Sequence, residues 1–476
     1  MRGDFFPNGI AADSGFAGTD RLADFFDGRI VSMILAGGKG ERLRPLTEGR
    51  AKAAVPFGGM CRLIDFVLSN MVNSGVHEIY VLTQYKAHSL IRHLQQGWAI
   101  THPLNGYSLM PVPPQMDGRD SWYLGTADAV YQNFGLIRKR NPELVLIFGS
   151  DHVYSMDIRP MIRWHLEKRA EVTVATIPMP LTQCSQFGTA RVGPDWRIVE
   201  FEEKTQHPRT IPGRPDQALV SMGNYIFETR ALIEELTQDA SDPLSRHDFG
   251  RDILPKICKR RRVFAYDFRG NTIPGNGKPT DYWRDVGTIK SYYQANMDLN
   301  NPLSHLNLYN PEWPLRSVPY HDLPAKVMAD VSGKSGYVEN SILGSSTVVS
   351  GGYVRDSVIG PHVRISSGAV VEESVVLGQV IINERARIRK AIVDHGNVIG
   401  EAARIGYDRE QDVSRYHIDE AGIIVVPHAG LSDHLRGGDD ERQMSFLLGQ
   451  ERAADQSGPR SRSGRGDRTL DAMLRL

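Results

Sequence analysis

Between Asn340 and Gly400 apolar residues return every six positions. Ile342, Val348 and Val354 make one run, Val363, Ala369, Val375 and Ile381 a second, and, after a one-residue slip, Ala386, Ile392 and Val398 a third. Short β-prone pieces between them are broken by Gly344, Gly360, Gly378 and Gly400. This hexapeptide pattern predicts a left-handed parallel β-helix over residues 334–430, in which each turn stacks one apolar residue on the next. The competing reading is a β-sandwich with irregular strands.

The chain before this region has a different texture. From Ile30 to about Asp298 strand and helix patterns alternate. Ile30–Ile34, Glu78–Leu82, Leu144–Phe148 and Val172–Ile177 read as strands. Ile64, Val67, Leu68, Met71 and Val72 share a helical face, and Thr126 caps a helix whose apolar face is Ala127, Val130, Tyr131, Phe134 and Ile137. Such alternation predicts an α/β domain over 29–299, Rossmann-like, with a mostly parallel sheet covered on both faces. Its ligand site should lie beyond the carboxyl ends of the strands. Residues 300–333, rich in Pro and Asn, read as a linker. Residues 1–28 read as a mobile extension, with no pattern of a secretory signal. Residues 431–476 read as a disordered tail whose basic Arg460–Arg465 patch is solvated.

Charge narrows the function classes. Lys+Arg and Asp+Glu both number 56, so the balance gives no reason to propose nucleic acid or an acidic membrane as partner. No apolar run approaches the length of a membrane span. Cys61, Cys184 and Cys258 are scattered without metal-ligand or disulfide spacing, which suits a reducing cytoplasm.

The strand Ile30–Ile34 runs into Leu35-Ala36-Gly37-Gly38-Lys39-Gly40-Glu41-Arg42-Leu43. Three glycines let the backbone turn sharply and approach a ligand, and Arg42 and Lys52 add charge beside the turn. Together they predict a polyphosphate cradle. A P-loop would need Gly-Lys-Ser/Thr where Gly40-Glu41-Arg42 stands, and the dinucleotide fingerprint would need glycine where Leu43 stands. Plain turn chemistry is the alternative for this stretch taken alone.

Further segments follow in order: Arg50-Ala-Lys52, Pro56-Phe-Gly-Gly59, Arg62-Leu-Ile-Asp-Phe66, Thr83-Gln-Tyr-Lys86, Gly125-Thr-Ala-Asp128, Ser150-Asp-His-Val-Tyr154, Phe201-Glu-Glu-Lys204, Ser221-Met-Gly-Asn-Tyr225, His247-Asp-Phe-Gly250 and Tyr282-Trp-Arg-Asp-Val-Gly287. With the cradle and the β-helix, they make the chain resemble the bacterial glucose-1-phosphate adenylyltransferases from about Val31 to Val426. The resemblance implies transfer from ATP to glucose 1-phosphate, Mg²⁺ as cofactor, a supply of ADP-glucose for glycogen synthesis, a homotetramer and allosteric metabolite effectors.

It also implies roles residue by residue. Arg42 and Lys52 would offset triphosphate charge, and Leu35, Ala36, Gly37, Gly38, Gln84, Trp122, Tyr123, Gly125 and Thr126 would hold the nucleotide. Asp151 and Asp285 would hold Mg²⁺. Lys204 would grip the sugar phosphate, with Gly188, Glu203, Ser221, Tyr225, Asp248, Phe249 and Trp283 around the hexose. His152, next to Asp151, reads as structural, because an anionic nucleophile needs no general base.

Four positions depart from the family pattern: Ala53 for a turn proline, Ser150 for a smaller residue, Thr205 for proline and Leu124 for a polar residue. Regulation is altered more. Gly49, Pro56, His428 and Ser432 stand where enterobacterial members carry Lys, His, Arg and Arg. Arg50, Arg62 and Lys390 remain as candidate effector cations, favouring a monophosphate or an acid over fructose 1,6-bisphosphate. Another sugar-nucleotide pyrophosphorylase, or a non-catalytic regulatory subunit, stays open as an alternative. An acyltransferase role for the β-helix is disfavoured, since His362 and His395 are isolated.

Overall fold

In a computed structural model, which describes residues 29–98, 107–115, 122–302, 304–318 and 322–428, the apolar run after Arg29 is a central strand, β1 (Ile30–Ala36). The expectations for 1–28, for 431–476 and for Ser432 lie outside the described residues. Four further strands surround the site: β2 (Leu144–Gly149), β3 (His152–Tyr154), β4 (Arg214–Glu228) and β5 (Trp283–Asp285). β1 pairs in parallel with Glu78–Thr83 on one side and with β2 on the other. β2 in turn pairs antiparallel with β4, which extends the sheet through Val172–Pro180 and Gly188–Val192.

Alternation along β1 explains why both faces are covered. Ile30, Ile34 and Ala36 pack with Ile64 and Leu68 of α1 (Leu63–Asn73) on one face. Val31 and Met33 pack with Ala127, Val130 and Phe134 on the other. The single helix expected from Thr126 is two, Thr126–Tyr131 and Phe134–Arg140. Asn133 breaks it: its Nδ2 donates to Ala129 O at 2.8 Å, the carbonyl that its own backbone N–H would otherwise use. Thr126 is not the cap. Gly125 holds that place, and the Thr126 hydroxyl is used elsewhere.

The stretch read as linker is tied down along α1. Trp313 Nε1 donates to Asn70 Oδ1, Asn73 Nδ2 to Pro314 O, and Ser317 Oγ to Asp65 Oδ2. The β-helix then begins inside residues 300–333, with Lys326–Met328 paired to Val348–Ser350. Its parallel strands stack in three sheets, the left-handed β-helix of the hexapeptide pattern. One coil takes 16 or 17 residues (Val349 to Ile365, Ile365 to Ile382). The six-residue step therefore moves round the coil from face to face, and the stacked columns are Val349-Ile365-Ile382-Ile399 and Val354-Val371-Ile388-Ile405. That is why Val398, in the six-residue series, is 64% exposed while Ile399 is buried.

The third sheet is apolar on both sides. Val376 and Val393 face the coil interior, whereas Val375, Ile392 and Val425 join Phe57, Phe66 and Tyr292 of the α/β domain in one cluster. A strand buried on both faces loses the polar alternation of a solvated one. At the seam, Tyr293 of α2 (Ile289–Met297) donates its hydroxyl to Glu373 O at 2.6 Å. Arg50 reaches across to Asp394, forming an ion pair with both side chains nearly out of solvent. Among the described residues no helix is long and apolar enough to cross a membrane.

Asp394 sits with its carboxyl held below the usual carboxylate range. Burial opposes this, and the charges of Arg50 and His395 outweigh it. Replacing Asp394 by Asn leaves the Arg50 guanidinium buried without its counter-charge, at a cost of about 3–5 kcal/mol in unfolding free energy. Urea denaturation of the variant at neutral pH measures this.

Candidate functional site

The cradle has the geometry its glycines require. A Cβ on Gly37 would come 3.1 Å from Gln84 Cβ. Gly40 has φ +63, and a Cβ there would meet Lys52 Cβ at 2.9 Å. Leu35, Ala36, Gly37 and Gly38 line a cavity of about 500 Å³ at the carboxyl ends of β1 and β2. Gln84, Tyr123, Gly125 and Thr126 line the same cavity, as expected for one ligand spanning both segments. Gln84 clamps the backbone of Tyr123: Oε1 accepts its N–H at 2.6 Å and Nε2 donates to its carbonyl at 3.3 Å.

At the bottom of the cavity Lys52 Nζ stands 2.7 Å from Asp151 Oδ2 and 3.4 Å from Asp285 Oδ1. The two carboxylates are neighbours because β3 and β5 pair antiparallel, with His152 opposite Asp285. Burial by itself would lower the Lys52 pKa, but the charges of Asp151 and Asp285 raise it above its ordinary value. For Asp151 burial works upward, and Lys52 and His152 pull the carboxyl well below its ordinary range. Asp151, His152 and Asp285 each offer one ligand atom, all within 4.8 Å of one another, a set that suits a divalent cation. Ser150, the unusual residue before Asp151, donates its hydroxyl to Leu35 O at 2.7 Å, so it ties β2 to β1.

The opposite side of the cavity carries Glu203, Lys204, Ser221, Tyr225, Asp248 and Phe249, with Gly188 beneath. Lys204 is 45% exposed at its side chain, and its backbone is left-handed, φ +54, where non-glycine residues are uncommon. Its N–H is fixed to Phe187 O at 3.0 Å. Burial pushes the Glu203 carboxyl up; Lys204 opposes this and Asp248 adds to it. Two missing Cβ atoms leave room for Glu203 in this position: one on Gly188 would lie 2.7 Å, and one on Gly250 2.6 Å, from Glu203 Oε2. Asp248 accepts from the Gly250 and Arg251 N–H groups and from the Thr126 hydroxyl at 3.1 Å, joining the two halves of the pocket.

Comparison with known proteins agrees with this architecture. A nucleotidyl transferase family model matches residues 31–301, and a GlmU-like C-terminal hexapeptide model matches 323–426. Glucose-1-phosphate adenylyltransferase of Thermus thermophilus is 48% identical over 404 residues, covering 84% of this chain and 98% of the relative. Those of Anaeromyxobacter sp. and Deinococcus radiodurans are each 46% identical over 405 residues, with the same coverage. The chain belongs to the glucose-1-phosphate adenylyltransferase family.

Within this family member three expected site residues stand outside the cavity lining. Arg42 reaches over to Gln186, its Nη1 donating to Oε1 at 3.1 Å. Trp122 is 56% exposed. Trp283 is buried behind the wall, its ring 5.1 Å from that of His152 and 5.5 Å from that of Phe187. The expected effector cations are not brought together on one partner. Arg50 is committed to Asp394 and, at 3.0 Å, to His395 Nδ1; Arg62 donates to Ser89 O, and Lys390 to Ala421 O. His428 stacks on His395, ring centroids 4.0 Å apart.

Sequence reasoning missed several lining residues: His152, Gln186, Phe187, Met222 and Gly223. His152 had a signal in its place beside Asp151, and Gly223 in its glycine between Ser221 and Tyr225. Gln186 and Phe187 had none, since a short 3₁₀ segment, Leu181–Gln186, brings them in from the far side.

The Lys52 triad yields a signed prediction. In the native protein the depressed Asp151 pKa contributes stability that is present above the ordinary carboxylate value of about 4 and is lost as pH falls through the folded value. In Lys52→Met the two carboxylates lose the ammonium between them, so their folded pKa values rise and the penalty is relieved as pH falls. Solvent reaches Asp151 and screens part of this penalty, so the variant should be about 1–2 kcal/mol less stable than the native protein at pH 7, with the gap shrinking towards pH 4. Denaturant titrations at several pH values measure the gap.

Proposed function

We propose that the protein transfers the adenylyl group of ATP to α-D-glucose 1-phosphate, giving ADP-glucose and pyrophosphate. The observation that carries this reading is the Lys52 ammonium held between Asp151 and Asp285 at the floor of a glycine-bare cradle. A phosphate oxygen of the sugar phosphate bonds to the α-phosphorus as the bond from that phosphorus to the bridging oxygen breaks, and pyrophosphate leaves with the electron pair. The nucleophile is already an anion, so the protein's task is to position reactants and offset charge.

Each part of the cavity has a place in that task. The backbone of Gly37 and Gly38 lies along the triphosphate, and Lys52 turns from the two carboxylates to the phosphates. Arg42, leaving Gln186, offsets the charge that grows on pyrophosphate. Lys204 holds the sugar phosphate, and Glu203, Ser221 and Asp248 meet sugar hydroxyls. Asp151 and Asp285 are the ligands of Mg²⁺, and their hard oxygens fit that ion. A bound Mg²⁺ supplies charge neutralisation to the polyphosphate. The same reading includes a homotetramer, a cytoplasmic location, product use in glycogen synthesis and regulation by a phosphorylated metabolite, with Arg62 and Lys390 nearer to that role than Arg50.

Pyrophosphate release measured with glucose 1-phosphate and each of the four nucleoside triphosphates tests the reading. ATP should be preferred; a preference for UTP, dTTP or GTP makes the protein a different sugar nucleotidyltransferase, and no release with any makes it a regulatory subunit.

Two substitutions separate the roles. Asp151→Asn removes a cation-ligand charge and little volume, so turnover should fall about 10³-fold while the fold is kept. Near-native activity at saturating Mg²⁺ removes Asp151 from the cation site. Lys204→Gln should raise the KM for glucose 1-phosphate about 10–100-fold and leave that for ATP nearly unchanged. Equal damage to both constants would move Lys204 out of the sugar-phosphate role.

A further inference from the structure

A buried chain of hydrogen bonds runs from the strap before the β-helix to the strand end beside Asp151. Trp313 Nε1 donates to Asn70 Oδ1 at 3.3 Å, and the same oxygen accepts the Met156 N–H at 3.0 Å. Asn70 Nδ2 donates to Tyr154 O at 3.2 Å. The Tyr154 hydroxyl accepts from Asn224 Nδ2 at 3.1 Å, and Asn224 Oδ1 accepts the Gly149 N–H at 3.3 Å. Asn70, Tyr154 and Asn224 are 2%, 0% and 0% exposed, so water cannot replace a lost partner.

Asn224 is the pivot of this chain. It lies where the pairing of β4 with Val172–Pro180 slips between Ser221 and Tyr225, next to Gly223 at φ +71. Its one carboxamide holds both flanks of the turn that carries Asp151: Gly149 at the end of β2 and Tyr154 at the end of β3. It is not among the residues that line the cavity, so it does not touch the reactants.

We propose that Asn224 is a positioning residue for the cation site: by bridging Gly149 and Tyr154 it sets the turn that carries Asp151 and fixes it to the β4 bulge that presents Ser221 and Tyr225. The proposal rests on the assignment of Asp151 to the cation site. An apolar side chain of the same size leaves the Gly149 N–H unpaired and takes the Asn224 amide donor from the Tyr154 hydroxyl, and the turn relaxes in response. A shift of about 1 Å in a charge-positioning group costs on the order of 10²-fold in rate.

The test uses the full chain with Asn224→Leu, Tyr154→Phe, the double variant and Asp151→Asn. Mn²⁺ binding is read by electron paramagnetic resonance, without turnover; kcat and KM are read separately. Asn224→Leu should weaken Mn²⁺ binding about 10-fold and lower kcat about 10–100-fold, while the KM for ATP stays within about twofold. Tyr154→Phe should act in the same direction, and the double variant should be little worse than Asn224→Leu, because the hydrogen bond lost in Tyr154→Phe is one of the two lost in Asn224→Leu. Native Mn²⁺ affinity and kcat in a folded single variant, or effects that add in the double, overturn the proposal. If Asn224→Leu does not fold, Tyr154→Phe, which removes one oxygen, carries the test alone. Asp151→Asn with undiminished Mn²⁺ binding refutes the cation assignment itself; its loss there, with retention in Asn224→Leu, refutes only the positioning role.

Discussion

The ammonium of Lys52 between Asp151 and Asp285 is the contact on which the rest of the site is arranged. Two partly buried carboxylates at the end of a sheet repel each other. A buried cation relieves them, and its own position is fixed by the chain around it. Ala51, Ala53 and Ala54 are packed without solvent, and the bare backbone of Gly40 leaves the space that Lys52 occupies. The same short segment starts with Arg50, whose guanidinium is bound to Asp394 on the β-helix. One piece of chain thus ties the cavity floor to the second domain, with the two contacts two residues apart.

That arrangement explains why the β-helix is more than an appendage. Its third sheet presents Val375, Ile392 and Val425 to the α/β domain, and Tyr293 bonds to its backbone. The strap that leads into it is bonded to α1 by Trp313 and Ser317. The β-helix is thus bound at Arg50, and the strap before it at Asn70. From Asn70 hydrogen bonds continue through Tyr154 and Asn224 to Gly149, and from Arg50 the backbone leads two residues on to Lys52.

Much of this was legible in the sequence, for physical reasons that differ by element. The glycine turn after β1 was visible because only glycine tolerates φ +63 against Lys52. The β-helix was visible because each coil must bury one residue per face, although short corners make its true repeat 16 or 17 residues and so displaced Val398 to the surface. The break after Tyr131 was hidden, since it depends on which carbonyl Asn133 takes. Arg50 looked like a free cation; its partner stands far along the chain, and no local pattern announces such a pairing. Gln186 and Phe187 reach the cavity, and Trp122 misses its lining, through loop paths that periodicity does not encode.

The central claim is that Lys52 is a resident cation that changes partners when a triphosphate arrives, freeing the carboxylates for the metal. Titrating Mn²⁺ into the protein with and without a non-hydrolysable ATP analogue, and following free Mn²⁺ by electron paramagnetic resonance, tests it most directly. The account predicts weak binding to the free protein and binding at least about 10-fold tighter once the analogue draws Lys52 away, beyond the affinity of the analogue itself for Mn²⁺. Equal affinity in the two conditions, or a Lys52→Met variant that shows the same dependence on the analogue, would contradict it.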